Sequence, residues 1–318
     1  MFENITFGFY AILPILLMMT LGYLFRRTSF LKKEFFIGCD KLVFYVALPL
    51  LLFEQMMEAE FQTVWDEDLL LFVTVAIVVA FIGILLLGPA LIANKVDRGA
   101  FCQGSVRSNY SIIGLPMANN LFGAAGYQTA ALIMPFLIPL YNALAVLILT
   151  VNAPGEKKNF LVVTLKVLKG IVINPLILSM ALGAAVKYFT LPVPDTAMKI
   201  VGYCANLTLP LALMSLGATF EFSRLKGKIL TAFSASVIKT ILLPAIAVTV
   251  GVYMGFRNLS LGMIFIVFAG PTSVSSYSMA VGMGANKELA GQIVVLSTIL
   301  SMFTMFIGAF LLRSFGLI

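Results

Sequence analysis

Apolar runs long enough to cross a bilayer as helix recur ten times along this chain of 318 residues and leave little room for anything else. About 20 apolar residues span the hydrocarbon core as helix. Lipid offers no water to unpaired backbone groups, which excludes an open sheet. Composition agrees: 61% of residues are hydrophobic and 11% charged, too little polarity to clothe a soluble domain of this length. The chain therefore reads as an all-α membrane protein. Its ten transmembrane helices lie near residues 7–25, 35–57, 68–94, 100–123, 127–151, 163–189, 197–219, 229–255, 259–283 and 289–315. Glu3 stands where a signal peptide would carry basic residues, and no small-residue cleavage site follows, so the first run is expected to be retained.

Cys39, Cys102 and Cys204 sit singly in apolar segments, which suits packing better than a metal or a disulfide. The absence of His removes the commonest metal ligand and the usual proton shuttle. No metal site, cofactor or catalytic residue is expected. The net charge of +7 comes from Lys and Arg distributed over loops, so a lipid surface rather than nucleic acid is the partner it implies. Arg26, Arg27, Lys32, Lys33, Lys95, Arg98, Lys157, Lys158, Arg224, Lys226, Lys228 and Lys287 fall in one set of alternate loops. Lys187, Lys199, Arg257 and Arg313 fall in the other set, with both termini. The richer set belongs in the cytoplasm, which puts the termini and the acidic loop Glu58–Asp68 outside.

The halves of the chain repeat one another. Ile12–Gly22 reads ILPILLMMTLG and Ile173–Gly183 reads INPLILSMALG. Pro14 pairs with Pro175 and Pro49 with Pro210, each 161 residues on; Pro89 pairs with Pro244 and Pro116 with Pro271, each 155 on. One deletion, where the acidic loop is longer in the first half, accounts for both offsets. Five helices per repeat invert the second copy, giving a first repeat over 1–151, a cytoplasmic linker over 152–159 and an inverted repeat over 160–318. Inverted repeats are an architecture of secondary transporters, with the binding site near the midplane.

The fourth and ninth spans are poor helices. Phe101–Gly123 reads FCQGSVRSNYSIIGLPMANNLFG, and Ile264–Gly284 reads IFIVFAGPTSVSSYSMAVGMG. Gly114 and Pro116 interrupt the first, and Gly270 and Pro271 the second, because proline removes a donor and clashes with the preceding turn. Around them stand Asn109, Ser111, Asn119, Asn120, Thr272, Ser273, Ser275 and Ser276, and freed backbone near mid-membrane must face protein or water. Paired breaks of this kind point to a binding site, and half-helix N-termini favour an anion. Single prolines and Ser or Thr in membrane helices more often serve packing, and only the pairing favours a site. Lys239 lies mid-span with no acid near it in sequence, and Arg107 lies within the fourth span. Both suit a carboxylate, against the blander readings of a structural hydrogen bond and snorkelling. Asp40 with Lys41 reads as an interfacial pair, and Glu54 as a solvated outer residue. Neither broken span holds an acid, so a carboxylate-based site for H+ or Na+ is unsupported there and the coupling ion stays open.

Three segments carry a family resemblance: Asp40–Phe53 (DKLVFYVALPLLLF), Arg107–Gly123, and Pro271–Met305 (PTSVSSYSMAVGMGANKELAGQIVVLSTILSMFTM). With them the whole chain resembles the auxin efflux carrier family, particularly its bacterial malate and malonate permease-like members. The resemblance implies helices four and nine crossing at Pro116 and Pro271, with Asn109 upstream of the first crossing. It also implies a scaffold of helices 1, 2, 6 and 7, often dimeric, and a moving unit of helices 3–5 and 8–10. The family's Asn-Thr-Gly is here Asn109-Tyr110-Ser111, which sets a bulky ring at the approach to the site. The long cytoplasmic loop of the plant carriers shrinks to Asn152–Asn159. The function expected is a carrier of small organic anions in the cell (inner) membrane, working by an elevator-like step. The alternatives are a solute sensor without turnover and an intramembrane enzyme. The enzyme would need acid pairs, a metal cluster or a His base that the chain does not offer.

Overall fold

The computed structural model of the chain describes residues 2–58, 66–153, 173, 175–218 and 228–318. The sixth span before residue 173, most of the linker, and Lys157, Lys158, Arg224 and Lys226 lie outside the described residues. Among the described residues the chain is helical and forms no strand. In order come α1 (Phe2–Arg27), α2 (Lys33–Leu42), α3 (Leu48–Glu58), α4 (Glu67–Leu91), α5 (Lys95–Val106) and α6 (Leu115–Val151). Then follow α7 (Pro175–Tyr188), α8 (Asp195–Ala205), α9 (Thr208–Ala218), α10 (Ile229–Val237), α11 (Leu243–Tyr253), α12 (Asn258–Ala269), α13 (Ser275–Met283) and α14 (Lys287–Ser314). Among the described residues, six helical segments, Lys33–Glu54, Glu67–Leu91, Tyr110–Val151, Asp195–Ala218, Ile229–Tyr253 and Lys287–Ser314, are long and apolar enough to cross a membrane.

Three wide π turns interrupt the helices, and each stands directly before a Leu-Pro pair. Val43–Ala47 precedes Leu48-Pro49, Tyr110–Gly114 precedes Leu115-Pro116, and Ile238–Leu242 precedes Leu243-Pro244. Proline cannot donate to the carbonyl four residues back, and its ring pushes that carbonyl away. A turn bonded five residues back absorbs the displacement without ending the helix. A sharper break falls at Gly123 inside α6, where φ is 62° and ψ is −148°. A side chain is strained at that φ, so glycine is what lets the helix kink there.

Close packing follows glycines. α1 lies against α9, where Gly22 faces the backbone of Met214 and Gly217 faces that of Met19. α3 lies against α7, where Gly183 faces the backbone of Phe53. Without a hydrophobic force between helices in lipid, such small-residue contacts are what van der Waals packing needs. α14 packs along α1, α5 and α10.

Polar caps tie one end of the bundle. Asn94 caps α5 through the amides of Val96 (2.9 Å) and Asp97 (3.4 Å), and Asn286 caps α14 through those of Glu288 and Leu289, both at 3.0 Å. The Asn286 side chain also donates to Asp97 at 2.7 Å, its backbone amide donates to Val96 at 3.1 Å, and Lys228 pairs with Asp97. The segments entering α5, α10 and α14 are thus held as one body.

A Cβ on Gly22 would fall on the Met214 carbonyl, whereas one on Gly38 meets nothing within 4 Å. Gly22→Ala is expected to destabilise the protein by about 1–3 kcal/mol. Gly38→Ala should be neutral or stabilising by up to about 1 kcal/mol. Thermal unfolding of both variants in detergent checks the pair.

Candidate functional site

α5 and α12 both stop inside the protein, and the segments that follow them meet. Arg107 leaves helical geometry with φ −74° and ψ 118°, and Gly270 does so with φ −55° and ψ 146°. The Asn109 amide donates to the Pro271 carbonyl at 2.7 Å, and the Ser273 amide donates to the Arg107 carbonyl at 3.3 Å. Ser108 and Thr272 form the antiparallel bridge between them. Each break supplies what the other lacks, a necessity where lipid cannot.

Side chains complete the frame. The Thr272 amide donates to Ser297 Oγ on α14 at 3.0 Å, and Thr272 Oγ1 donates to the Gly104 carbonyl at 2.6 Å. A Cβ on Gly270 would sit 2.8 Å from Ser108 Oγ, so glycine leaves room for that hydroxyl at the crossing. The first break lies at Arg107–Asn109, upstream of Gly114 and Pro116. Gly114 is helical (φ −65°, ψ −46°), and Pro116 sits in the first turn of α6, where its missing donor costs least. Gly114 instead makes room for the Tyr110 ring, which a Cβ there would meet at 2.6 Å. That ring does not obstruct the crossing: its hydroxyl donates to the Ala130 carbonyl on α6 at 3.0 Å.

Arg107, Asn109, Pro271 and Ser273 are brought together by these bonds. Ser273 and Ser275 share a hydrogen bond of 2.7 Å at the start of α13, and Ser276 is buried behind them. Ser111 is half-buried in the π turn. Asn119 and Asn120 lie ten and eleven residues beyond Asn109, about 15 Å along the helix, and Asn119 is exposed there. Lys239, wholly buried in the π turn between α10 and α11, donates to the Phe268 carbonyl at 2.5 Å, three residues before Pro271. Arg107, 5% exposed, donates to Asn142 Oδ1 on α6 at 2.6 Å and meets Met279 on α13.

Two features give the site its chemistry. Among the described contacts neither Arg107 nor Lys239 meets a carboxylate, so two buried cations face neutral oxygen and sulfur. Beside them Ser108 Oγ, Asn109 Nδ2, Ser276 Oγ and Gln103 Oε1 are buried without a hydrogen-bond partner. Unpaired buried polar groups are costly; here the two hydroxyls and Asn109 Nδ2 are available to donate, whereas Gln103 Oε1 can only accept. Among the described residues no group of His, Cys, Asp and Glu could hold a metal.

A cavity of about 220 Å³ lies beside the crossing, lined by Arg26, Lys33, Phe36, Ile37, Asp40 and Ala218 on one side and by Val274, Tyr277, Gly291, Val294 and Val295 on the other. A space of only about 20 Å³ remains between Ile15, Met19, Ile113, Met117 and the α14 residues Thr298, Ser301, Met302 and Met305. Sequence reasoning found Thr272 but missed Gln103 and Ser108, because it centred the first break on the Gly-Pro signal, and it missed Ser297 because that partner comes from a distant span. It read Arg26 and Lys33 only as markers of orientation.

A family model described as membrane transport protein matches residues 7–308. An uncharacterized transporter of Methanothermobacter thermautotrophicus is 22% identical over 92% of this chain and 94% of its own. A protein of Rhizobium meliloti named "Putative malonate transporter" is 24% identical over 95% of each chain. An uncharacterized transporter of Methanocaldococcus jannaschii is 24% identical over 88% of this chain and 89% of its own.

Ser297→Ala leaves the Thr272 amide unpaired in a buried frame, which costs about 1–3 kcal/mol. The midpoint of chemical unfolding in micelles should fall accordingly, and Ser297→Thr, which keeps the hydroxyl, should restore part of it.

Proposed function

The chain belongs to the membrane transport protein family, the auxin efflux carriers, and from that premise we propose that it is a secondary carrier of small organic anions, dicarboxylates such as malonate or malate first among them. The observation that carries this reading is the crossing itself: unpartnered Ser108, Asn109 and Ser276 beside two buried cations with no counter-charge among the described contacts. Asn109, Ser273 and Ser275 donate hydrogen bonds to the carboxylates, and Lys239 and Arg107 supply the charge. The likeness to the Rhizobium protein supports a short dicarboxylate.

The ten-helix inverted repeat is part of the proposal, and a packing detail supports it. Gly22 faces Met214, and Gly183 faces Phe53. The same step of 161 residues that carries Gly22 to Gly183 carries Phe53 to Met214, so these two contacts exchange under the internal symmetry. Spans 1, 2, 6 and 7, which make those contacts, form the scaffold and its dimer interface. Spans 3–5 and 8–10, joined at the crossing and by Asp97, form the moving unit.

Alternating access follows from the unequal cavities. On the side of Arg26 and Lys33, taken as cytoplasmic from the charge bias, solute reaches Val274 and Tyr277 beside Ser273. On the other side, Ile15, Met19, Ile113 and Met117 close the path. An elevator-like slide of the crossing along this apolar face of α1 would exchange the two. Arg26 and Lys33 gather anions at the mouth, a steering role that salt weakens. The termini lie outside the cell membrane.

Uptake of labelled malonate or malate into proteoliposomes, under a pH gradient, a sodium gradient or neither, tests the function and identifies the coupling ion. A charge-assisted hydrogen bond is worth about 1.5–3 kcal/mol, so Lys239→Ala should reduce uptake roughly ten- to hundredfold in folded protein. Unchanged kinetics would remove Lys239 from the mechanism. Asn109→Ala should also collapse uptake. Joint Arg26→Gln and Lys33→Gln should raise KM roughly threefold and flatten its salt dependence, with kcat kept.

A further inference from the structure

A cavity larger than the one beside the crossing lies away from it. About 960 Å³ in volume, it is a groove between α4 and α11 with α12 at its floor. Its walls are apolar stripes at helical spacing, Leu71, Val75 and Val79 on α4 and Ile246 and Val250 on α11 with Met254 just beyond it, all strongly exposed. Ala76, Ala80 and Ala247 keep the floor low. A concave surface of this kind in a membrane helix pair faces acyl chains.

Three observations narrow the occupant. The groove runs along α12 from Arg257 to Phe268, eleven residues or about 16 Å of helix, close to half the roughly 30 Å hydrocarbon core. It therefore fits a lipid of one leaflet. One end carries Asp66, Asp68, Arg257 and Ser260, whereas the other ends at Phe268. Asp66 is occupied, accepting from the Leu69 amide at 2.9 Å and from Ser260 at 2.6 Å. Arg257 uses Nη1 on the carbonyls of Val252 (3.0 Å) and Phe256 (2.6 Å), which leaves Nη2 and Nε as donors. Asp68 is exposed and has no partner among the described contacts.

We propose that this groove binds one phospholipid with a zwitterionic, primary-ammonium head group. The phosphate meets Arg257, the ammonium meets Asp68, and an acyl chain follows the Leu71–Val79 stripe down to Phe268. A second carboxylate at the rim leaves it negative, which disfavours a head group of net negative charge. A quaternary ammonium could not donate a hydrogen bond to Asp68. The lipid would lie against the residue whose carbonyl accepts from Lys239, so its chain buttresses the crossing from the membrane side.

The test is lipid retention by purified full-length protein. The protein is exchanged into mild detergent with equal amounts of palmitoyl-oleoyl phosphatidylethanolamine and phosphatidylglycerol, then examined by native mass spectrometry. One phosphatidylethanolamine per chain should be retained roughly two- to fivefold over phosphatidylglycerol, the range an exposed ion pair supports. Asp68→Lys, a surface change that folding tolerates, should abolish or invert that preference. Ala76→Trp should lower retention of both lipids by filling the floor. Equal retention in the unmodified protein, or a preference that survives Asp68→Lys, would overturn the proposal. Malonate uptake is not the readout, so failure here leaves the transport reading untouched.

Discussion

Everything at the centre of this protein depends on two backbone hydrogen bonds, Asn109 to Pro271 and Ser273 to Arg107. A broken helix in a membrane has carbonyls and amides to satisfy and no water to satisfy them with. Here two breaks solve the problem for one another, and Ser297 and Gly104 supply the remaining partners of Thr272. The gain is a pair of unwound segments in which Ser108 Oγ and Asn109 Nδ2 are left without a protein partner. Rigidity comes from the backbone pairing together with the Thr272 and Ser297 side chains, and the other polar side chains at the breaks are not needed for it.

The electrostatics rest on the same frame. A buried Lys or Arg without a carboxylate is expensive, and membrane proteins keep such groups where they face an interior. Lys239 is held by the last carbonyl-bearing turn of α12 and Arg107 by Asn142 of α6, so each cation is fixed by an element that the crossing also fixes. Neutral partners hold position without cancelling charge. In the transport reading proposed above, an anion would gain attraction without first having to displace a protein carboxylate.

Much of the architecture was legible in the sequence, because apolar runs of spanning length and their prolines are local signals. The Leu-Pro pairs at Pro49, Pro116 and Pro244 were visible, but the π turn before each was not, since it is a response of the backbone to proline rather than a preference of the residues. Pro116 was taken as the break itself. In the structure a proline at the start of α6 is cheap, and the chain unwinds earlier, at Arg107–Asn109, because that is where the Pro271 segment can reach it. Arg26 and Lys33 carried a topological meaning that hid a second one, apparent only when α2 and α13 enclose a common cavity. Proximity between distant spans has no signature in a single sequence.

The pairing of Ser108 with Thr272 also sets a schedule for biogenesis. The two residues are separated by 164 positions (272 − 108), and translation at roughly 10 residues per second puts about 16 s between them. Throughout that interval α5 and the three residues after it, carrying Gln103, Ser105, Arg107 and Asn109, lack the partner that satisfies their backbone. Such a segment is a poor candidate for early release into lipid, since each unpaired group costs several kcal/mol there. It belongs beside the insertion machinery or at the bilayer surface until α12 has been made. The first half of the chain is therefore unable to finish folding on its own, however well its apolar helices insert, and a truncation before Pro271 would leave a membrane protein with a polar wound at its midplane.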